Sequence, residues 1–382
     1  MVYSMKFRAI IISLVVLAFA ASVFADGSGS VRRDDDGDQK VERTIAVDPA
    51  VTVSLCVTSG NITVRGWDRN EVTARSADPV QIELRKPEEM PAGSVKKLEI
   101  VVFNKAETGK PQGKCQAYSD LDLNVPKGAT VLVQTRDGDI SIGEVASAYA
   151  GTQNGDIEVQ QISRSIEVGS IGGSICLKDS TGRVSVSSAG GSIDAANLRP
   201  VETGDSLEVV TTSGDINLTN VTHKDINTKT VSGNLTLTGP LAAAGRYWFN
   251  SFSGDVTLAL PANASFKLMA KVSENGEIIT DFPLTLTQVS AAATAESSTP
   301  VAIAETPEAP VTPAPPAKAD HSGSTPKPAP APAVKVHVKP VIVVTPSPKI
   351  AFSMRRITGV HGSGDATISV ASFSGTLRLE QN

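Results

Sequence analysis

Through the middle of the chain, apolar and polar residues alternate in short runs, and each run is opened by glycine and a small polar residue. The runs read GNITV from Gly60, GDISI from Gly138, GDIEV from Gly155, GGSICL from Gly172 and GGSIDA from Gly190. They continue as GDINL from Gly214, GNLTL from Gly233, GDVTL from Gly254 and GEIIT from Gly276. A period of two places Ile140, Ile142, Ile157 and Val159 on one face of their strands, with polar residues on the other. The glycines nearest the polar residue, 138, 155, 173, 191, 214, 233, 254 and 276, are 17 to 23 residues apart, about one turn of a coil. Glycine supplies the positive φ of a tight corner, and the following Asp, Asn or Ser is expected to bond back to its own backbone as an Asx-type turn. A half-phrase, TGRVSV from Thr181, falls midway between Gly173 and Gly191, as though some turns carry two corners. The pattern predicts an all-β fold, a parallel β-solenoid of G-[DNS]-[IVL] rungs whose Ile, Leu and Val side chains stack in interior columns. An antiparallel sandwich fits short alternating strands as well. Most phrases lack two-residue hairpin spacing, which favours the coil.

The pattern also divides the chain. Residues 137–289 form the central solenoid, and residues 41–136 form N-terminal strands and a cap, with strands expected over 41–57 and 81–104 and a loop at 86–94. Beyond Val289 the composition shifts to Pro, Ala, Thr and Ser, including TPEAPVTPAPP and PKPAPAP. Residues 290–348 are therefore expected to be a disordered Pro/Ala-rich insertion, a spacer with too little apolar surface to fold. The rung grammar then resumes within 349–382, as GDATISV from Gly364 and GTLRLEQ from Gly375. These strands are expected to return and close the same solenoid, with Arg378 and Glu380 charging its last edge; a separate C-terminal tail is the other reading.

The N-terminus carries Lys6 and Arg8 ahead of an apolar run over residues 9–21, the order of a secretory signal peptide. Residues 1–25 are read as that signal, cleaved after Ala25, and residues 26–40 as a flexible segment. The run is shorter than the ~20 residues of a bilayer span, so no transmembrane anchor is expected in the mature chain. Lys plus Arg number 35 against 40 Asp plus Glu. Losing Lys6 and Arg8 moves the net charge from -5 to -7, which gives no electrostatic reason to seek nucleic acid. Three cysteines remain in a chain expected to be exported to the periplasm or cell surface, and an oxidising compartment permits one disulfide. Cys56 with Cys115 is the expected pair, since both lie in the N-terminal part. Cys176 falls in the alternating run Ile175-Cys176-Leu177 and reads as a small buried hydrophobe.

Several stretches together, SGNITVRGWDRNEV from Ser59, VPKGATVLVQTRDGDISI from Val125, SGDVTLALPANASF from Ser253, NGEIITDFPLTL from Asn275 and the terminal GSGDATISV, resemble a bacterial family of exported domains of unknown function. It is the toast-rack group, which carries an adhesin label. The resemblance implies a β-solenoid, export and an adhesive role, and it supplies no catalytic residues. The long Pro/Ala insertion before the last strands departs from that pattern.

The chemistry in the sequence is sparse. Asp139, Asp156, Asp215 and Asp255 follow corner glycines, interrupted by Ser174, Ser192, Asn234 and Glu277, and stacking would line them along one corner. Such a carboxylate ladder could hold calcium, but the nonapeptide that delivers six to eight oxygens in other coils is absent. It could also serve as a glycosidase-type acid pair, since neighbouring rungs lie ~4.8 Å apart. No metal or cofactor is expected. Of four histidines, His321 and His337 fall in the spacer, and His223 and His361 read as satisfied surface residues. Trp67 reads as a cap over the first rung or as a sugar-stacking platform, and Tyr247, Trp248 and Phe249 as packing residues or a ligand-facing stripe. Two functions follow: a non-catalytic envelope adhesin or scaffold with an unknown envelope, glycan or protein partner, or a polysaccharide-acting β-helix enzyme using the corner carboxylates.

Overall fold

Each rung of the chain lays down two strands, one in each of two sheets. The structure, a computed structural model, describes residues 41–87, 95–104, 115, 117–273, 276–291 and 354–382. The expected signal peptide, the 26–40 segment, nearly all of the spacer and most of the 86–94 loop lie outside the described residues. One turn runs from Ser147–Thr152 through the corner at Gly155 to Ile157–Gln160, then through a second corner to Ser165–Ser170. Ser147–Thr152 pairs in parallel with Ser165–Ser170, and Ile157–Gln160 with Ile175–Lys178. The half-phrase at Thr181 is thus the second strand of an ordinary rung, Arg183–Ser188. Two corners per turn is the rule, and the fold is a β-solenoid.

The interior columns follow from the register. One column runs Ile140, Ile157, Ile175, Ile193, Ile216, Leu235, Val256 and Leu377, each at most 1 % exposed. The facing sheet supplies Ala148, Ile166, Val184, Leu207, Ile226, Tyr247 and Ile368, also buried. Ser and Thr complete the inside of the glycine corner. Thr152, Ser170, Ser188, Thr211, Thr230, Ser251 and Ser372 each donate to the carbonyl of the corner glycine one rung back, at 3.1–3.5 Å.

The two corners use different residues for one purpose. At the first, Gly138, Gly155, Gly214, Gly233, Gly254 and Gly375 have φ between 142° and 156°. A Cβ on any of them would overlap the carbonyl oxygen of the glycine one rung back. At the second, Glu144, Gln161, Asp179, Asn197 and Asn220 adopt φ near 49–58°, the left-handed region that Asn and Asp tolerate best. Asn197 donates to Asp179 at 2.8 Å and Asn220 to Asn197 at 3.2 Å, stitching that corner together.

Both ends leave the parallel scheme. At the N-terminal end, Glu71–Ser76 runs antiparallel to Val41–Ala46 and to Leu121–Pro126, while Val80–Arg85 runs antiparallel to Lys97–Asn104. At the other end the strands after residue 353 enter the solenoid one rung early. Ala366–Ser374 lies between Arg246–Ser253 and Phe266–Ser273, and Leu377–Gln381 lies between Val256–Leu260 and Ile278–Thr280. Gly375, and not Gly276, therefore stacks on Gly254. Arg378 and Glu380 consequently sit on an interior strand. The last edges are instead the three-residue Ile278–Thr280 and the antiparallel strand Thr285–Ala291.

Gly155 and Gly151 separate corner from strand. A Cβ at Gly155 overlaps the Gly138 oxygen, whereas one at Gly151 meets nothing closer than 4.0 Å. Gly155→Ala is expected to lower stability by about 3 kcal/mol, and Gly151→Ala to leave it unchanged or raise it by up to ~1 kcal/mol. Urea unfolding midpoints of the two variants check this; equal costs would show that the corner does not require glycine.

Candidate functional site

The four acids lie where the rungs stack, but their side chains reach forward to the next rung. Asp139 Oδ1 accepts the Asp156 N–H at 2.8 Å, and Asp156 Oδ1 accepts that of Ser174 at 2.8 Å. Asp215 Oδ1 accepts the Asn234 N–H and Asp255 Oδ1 that of Thr376, both at 2.7 Å. Asn61 and Asn234 make the same bond to the N–H groups of Asp139 and Asp255 at 3.0 Å. The expected Asx-type turn is replaced by an inter-rung bond, because in a parallel stack the next rung's corner N–H lies only about 4.8 Å along the coil.

Ser174 and Ser192 divide this ladder. One part runs Asp120, Asn61, Asp139, Asp156, its first bond from the Asn61 N–H to Asp120 Oδ1 at 2.7 Å, and the other Asp215, Asn234, Asp255, so only Asp139 and Asp156 of the four acids occupy adjacent rungs. Beside them is a shallow recess of about 190 Å³ lined by Asn61, Thr63, Asp139, Ser141, Asp156 and Glu158. Its lining has carboxylates but no Arg, His or aromatic residue to orient a sugar. Among the described residues, no three His, Cys, Asp or Glu side chains converge to hold a metal.

A larger cleft of about 540 Å³ lies on the outer face of the other sheet. Tyr149, Ser165, Glu167, Arg183 and Ser185 form its floor, Arg164 its rim, and Val201, Glu202 and Asp205 its wall. The wall comes from the longest rung, between Gly191 and Gly214. Asp205 fixes that loop by accepting the N–H groups of Val201 at 2.9 Å and Glu202 at 2.8 Å. Burial opposes its ionisation, but those N–H groups, with His223 and Arg183 nearby, hold Asp205 below the usual carboxylate range.

His223 is a correction. It is fully buried, and its Nε2–H donates to the Gly182 carbonyl at 2.7 Å. Nδ1 has no partner among the described residues. Burial pushes its pKa down, against the upward pull of the Gly182 carbonyl and Asp205. The alternation Val221, Thr222, His223, with the outer two buried, was the available signal. His361 is half-buried, with Nδ1 3.0 Å from the Pro283 carbonyl and its ring against Phe282.

The remaining candidates divide between packing and surface. Trp67 donates its indole N–H to the Glu71 carbonyl at 2.8 Å, and Arg69 lies 5.0 Å over its ring, closing the local turn. Tyr247 and Phe249 are core, while Trp248 between them faces out and is 39 % exposed. The structure joins Cys56 and Cys115, with Cα atoms 4.8 Å apart. Cys176 is not buried; Ile175 and Leu177 point inward, and the free Cys176 between them is half-exposed. No helix among the described residues is long and apolar enough to cross a membrane.

The model of the Toastrack DUF4097 family matches residues 61–299. No curated protein sequence matches the chain. Among solved structures, a putative adhesin from Bacteroides fragilis is 15 % identical, over 60 % of this chain and 92 % of that one, with a TM-score of 0.33. One from Parabacteroides merdae bearing the same description is 10 % identical, over 59 % and 90 %, with a TM-score of 0.38. A protein from Parabacteroides distasonis described as lipid binding, also with that qualifier, is 14 % identical, over 60 % and 93 %, with a TM-score of 0.31.

Two predictions follow from these geometries. Asp156→Asn keeps an Oδ1 acceptor for the Ser174 N–H and should leave the unfolding midpoint nearly unchanged, whereas Asp156→Ala should cost about 1 kcal/mol. Equal losses in the two variants would refute the acceptor role. For His223, a folded-state pKa below the unfolded value means that the unfolded chain binds the proton more readily. Its contribution to stability is complete above the unfolded value of about 6.5 and declines as pH falls below it. His223→Gln should flatten the fall in stability between pH 7 and 5 measured by denaturant titration; an unchanged slope would assign that fall to other groups.

Proposed function

The chain belongs to the Toastrack DUF4097 family, and on that premise we propose that it is an exported, non-catalytic module of the cell envelope. It acts as an adhesin or scaffold that presents the outer faces of its solenoid to an envelope, glycan or protein partner. The observation that carries this reading is how the corner acids are used. Asp139, Asp156, Asp215 and Asp255 each give an oxygen to the N–H of the following rung. An acid that holds the corner of a repeat together is spent on stability, and a general acid or nucleophile needs a substrate-facing position beside groups that orient the reacting bond. The Asp139–Asp156 recess lacks such groups. What remains free is outward surface, which includes the cleft bearing Tyr149, Arg164, Glu167 and Arg183.

Export is supported by the order of charge and hydrophobicity over residues 1–25 and by the Cys56–Cys115 pairing, which an oxidising compartment favours. In source cells, deleting the protein should reduce attachment or envelope integrity. Restoring a chain carrying Asp139→Asn, Asp156→Asn, Asp215→Asn and Asp255→Asn together should rescue the defect in full, because asparagine keeps the acceptors and abolishes acid–base chemistry. A folded quadruple variant that fails to rescue, together with loss of a measurable polysaccharide-cleaving activity, would favour the enzymatic reading.

A further inference from the structure

The outer face of one sheet changes character towards its C-terminal end. Five strands lie side by side there: Asp225–Ser232, Arg246–Ser253, Ala366–Ser374, Phe266–Ser273 and Met354–His361. Alternation sends Tyr247, Phe249, Ile368 and Leu268 into the core and turns Val231, Trp248, Phe252 and Met269 outward, 52, 39, 56 and 39 % exposed. Trp248 is in register with Ser369, and Ser369 with Met269. Alongside that row, the Phe252 and Phe373 rings are parallel with centroids 4.7 Å apart. The same outward positions carry Lys229, Arg246, Lys267, Lys271 and Arg356. Among the described outward residues of these strands Asp225 is the one carboxylate, and it is held by Arg246 through bonds of 2.7 and 2.9 Å. Lys229, Lys267, Lys271 and Arg356 have no carboxylate partner among the described residues. Four strand spacings by six residues give this mixed aromatic and cationic face about 400 Å².

We infer that this face docks on an anionic lipid bilayer surface. Charge complementarity points there first: a chain of net charge -5 gathers unpaired cations around exposed aromatics, the composition that binds acidic headgroups while Trp and Phe enter the interfacial layer. The arrangement of the rings disfavours a soluble acidic glycan. Phe252 and Phe373 stack on each other, and Arg246 lies 5.7 Å over Trp248, so each of these rings already has one face taken where a sugar would need an open one. Neither recess described above is lined by residues of these five strands, which suits a planar partner. A second copy related by a two-fold axis would set cations against cations.

Sedimentation of the full chain with vesicles tests this, every variant carrying the same N-terminal segment as the parent. Vesicles with 30 mol % phosphatidylglycerol in phosphatidylcholine should bind it at low salt and release it as salt rises, whereas phosphatidylcholine alone should bind it at least about tenfold more weakly. Lys229→Gln, Lys267→Gln and Lys271→Gln together should reduce binding about tenfold or more without changing the circular dichroism spectrum, and Trp248 emission should shift to the blue only with the anionic vesicles. Trp248→Phe separates that signal from Trp67. Equal binding to both vesicle types, absence of binding to either, self-association abolished by the same substitutions, or capture of a soluble acidic polysaccharide in place of vesicles would each overturn the inference. The assay uses purified protein and reads no cellular phenotype, so it can fail while the envelope role stands, and the converse.

Discussion

The solenoid depends on how closely one corner can sit on the next. In a parallel stack the corner N–H of Gly138 must reach the Asn154 carbonyl at 2.9 Å, and that of Gly233 the Ser253 carbonyl at 3.0 Å. At that separation the corner Cα lies against the preceding corner's carbonyl, leaving no volume for a side chain. Glycine is therefore a packing requirement here before it is a conformational convenience. The next residue is forced to stand beside the following rung's N–H, so Asp and Asn there become inter-rung acceptors. On the inside, the carbonyl of each corner glycine from Gly138 to Gly254 takes a bond from a buried Ser or Thr of the following rung. Sequence grammar, corner hydrogen bonds and the loss of free carboxylates are one constraint seen at three levels.

Stacking of this kind has no natural end, and the chain closes it differently on the two sides. At the N-terminal end the antiparallel edge strand Val41–Ala46 carries Glu42, which meets Arg75 at 3.2 Å on its neighbour, and the other edge strand carries the Glu83–Arg85 pair at 2.8 Å. Charges at an edge disfavour pairing with a foreign strand. At the far end the chain returns after residue 353 and inserts its last rung between two already laid down, leaving a three-residue strand and an antiparallel pair outermost. The corner glycines between Gly138 and Gly254 meet partners only 17 to 23 residues away, whereas Gly254 thereby contacts Gly375 across 121 residues of sequence. Such a contact is costly to close in the unfolded chain.

Period-two runs, glycine corners and rung spacing were legible because each is written locally in the chain. The second corner was not: its left-handed residues are Glu144, Gln161, Asp179, Asn197 and Asn220, and Glu and Gln there contradict local preference. Backbone stacking overrides propensity at those positions. Placement of the final rung was also illegible, because Gly276 and Gly375 carry equivalent phrases and only tertiary pairing decides which meets Gly254. Cys176 and His223 were misplaced for opposite reasons. Cys176 has the hydrophobicity of a core residue but the parity of an outward one, whereas His223 has surface chemistry and core parity. Where type and parity disagreed, parity decided.

The same parity rule shows where variation is free. Inward positions must fill a column and corner positions must satisfy the stack, so only outward strand residues and the loops can change without disturbing the coil. One outward row of a single sheet reads Leu132, Tyr149, Glu167, Ser185, Glu208, Asn227, Trp248, Ser369 and Met269. It passes from apolar through acidic to apolar again, while the buried row of Val131, Ala148, Ile166, Val184, Leu207, Ile226, Tyr247, Ile368 and Leu268 beside it stays aliphatic or aromatic throughout. Selection on stability acts on every rung alike and produces repetition. The outward row is under no such constraint, so it need not repeat and can differ from rung to rung. The walled cleft near Tyr149 and the cationic aromatic face near Trp248 both lie along that outward row, where residues and loops change while the corners and the buried columns stay fixed.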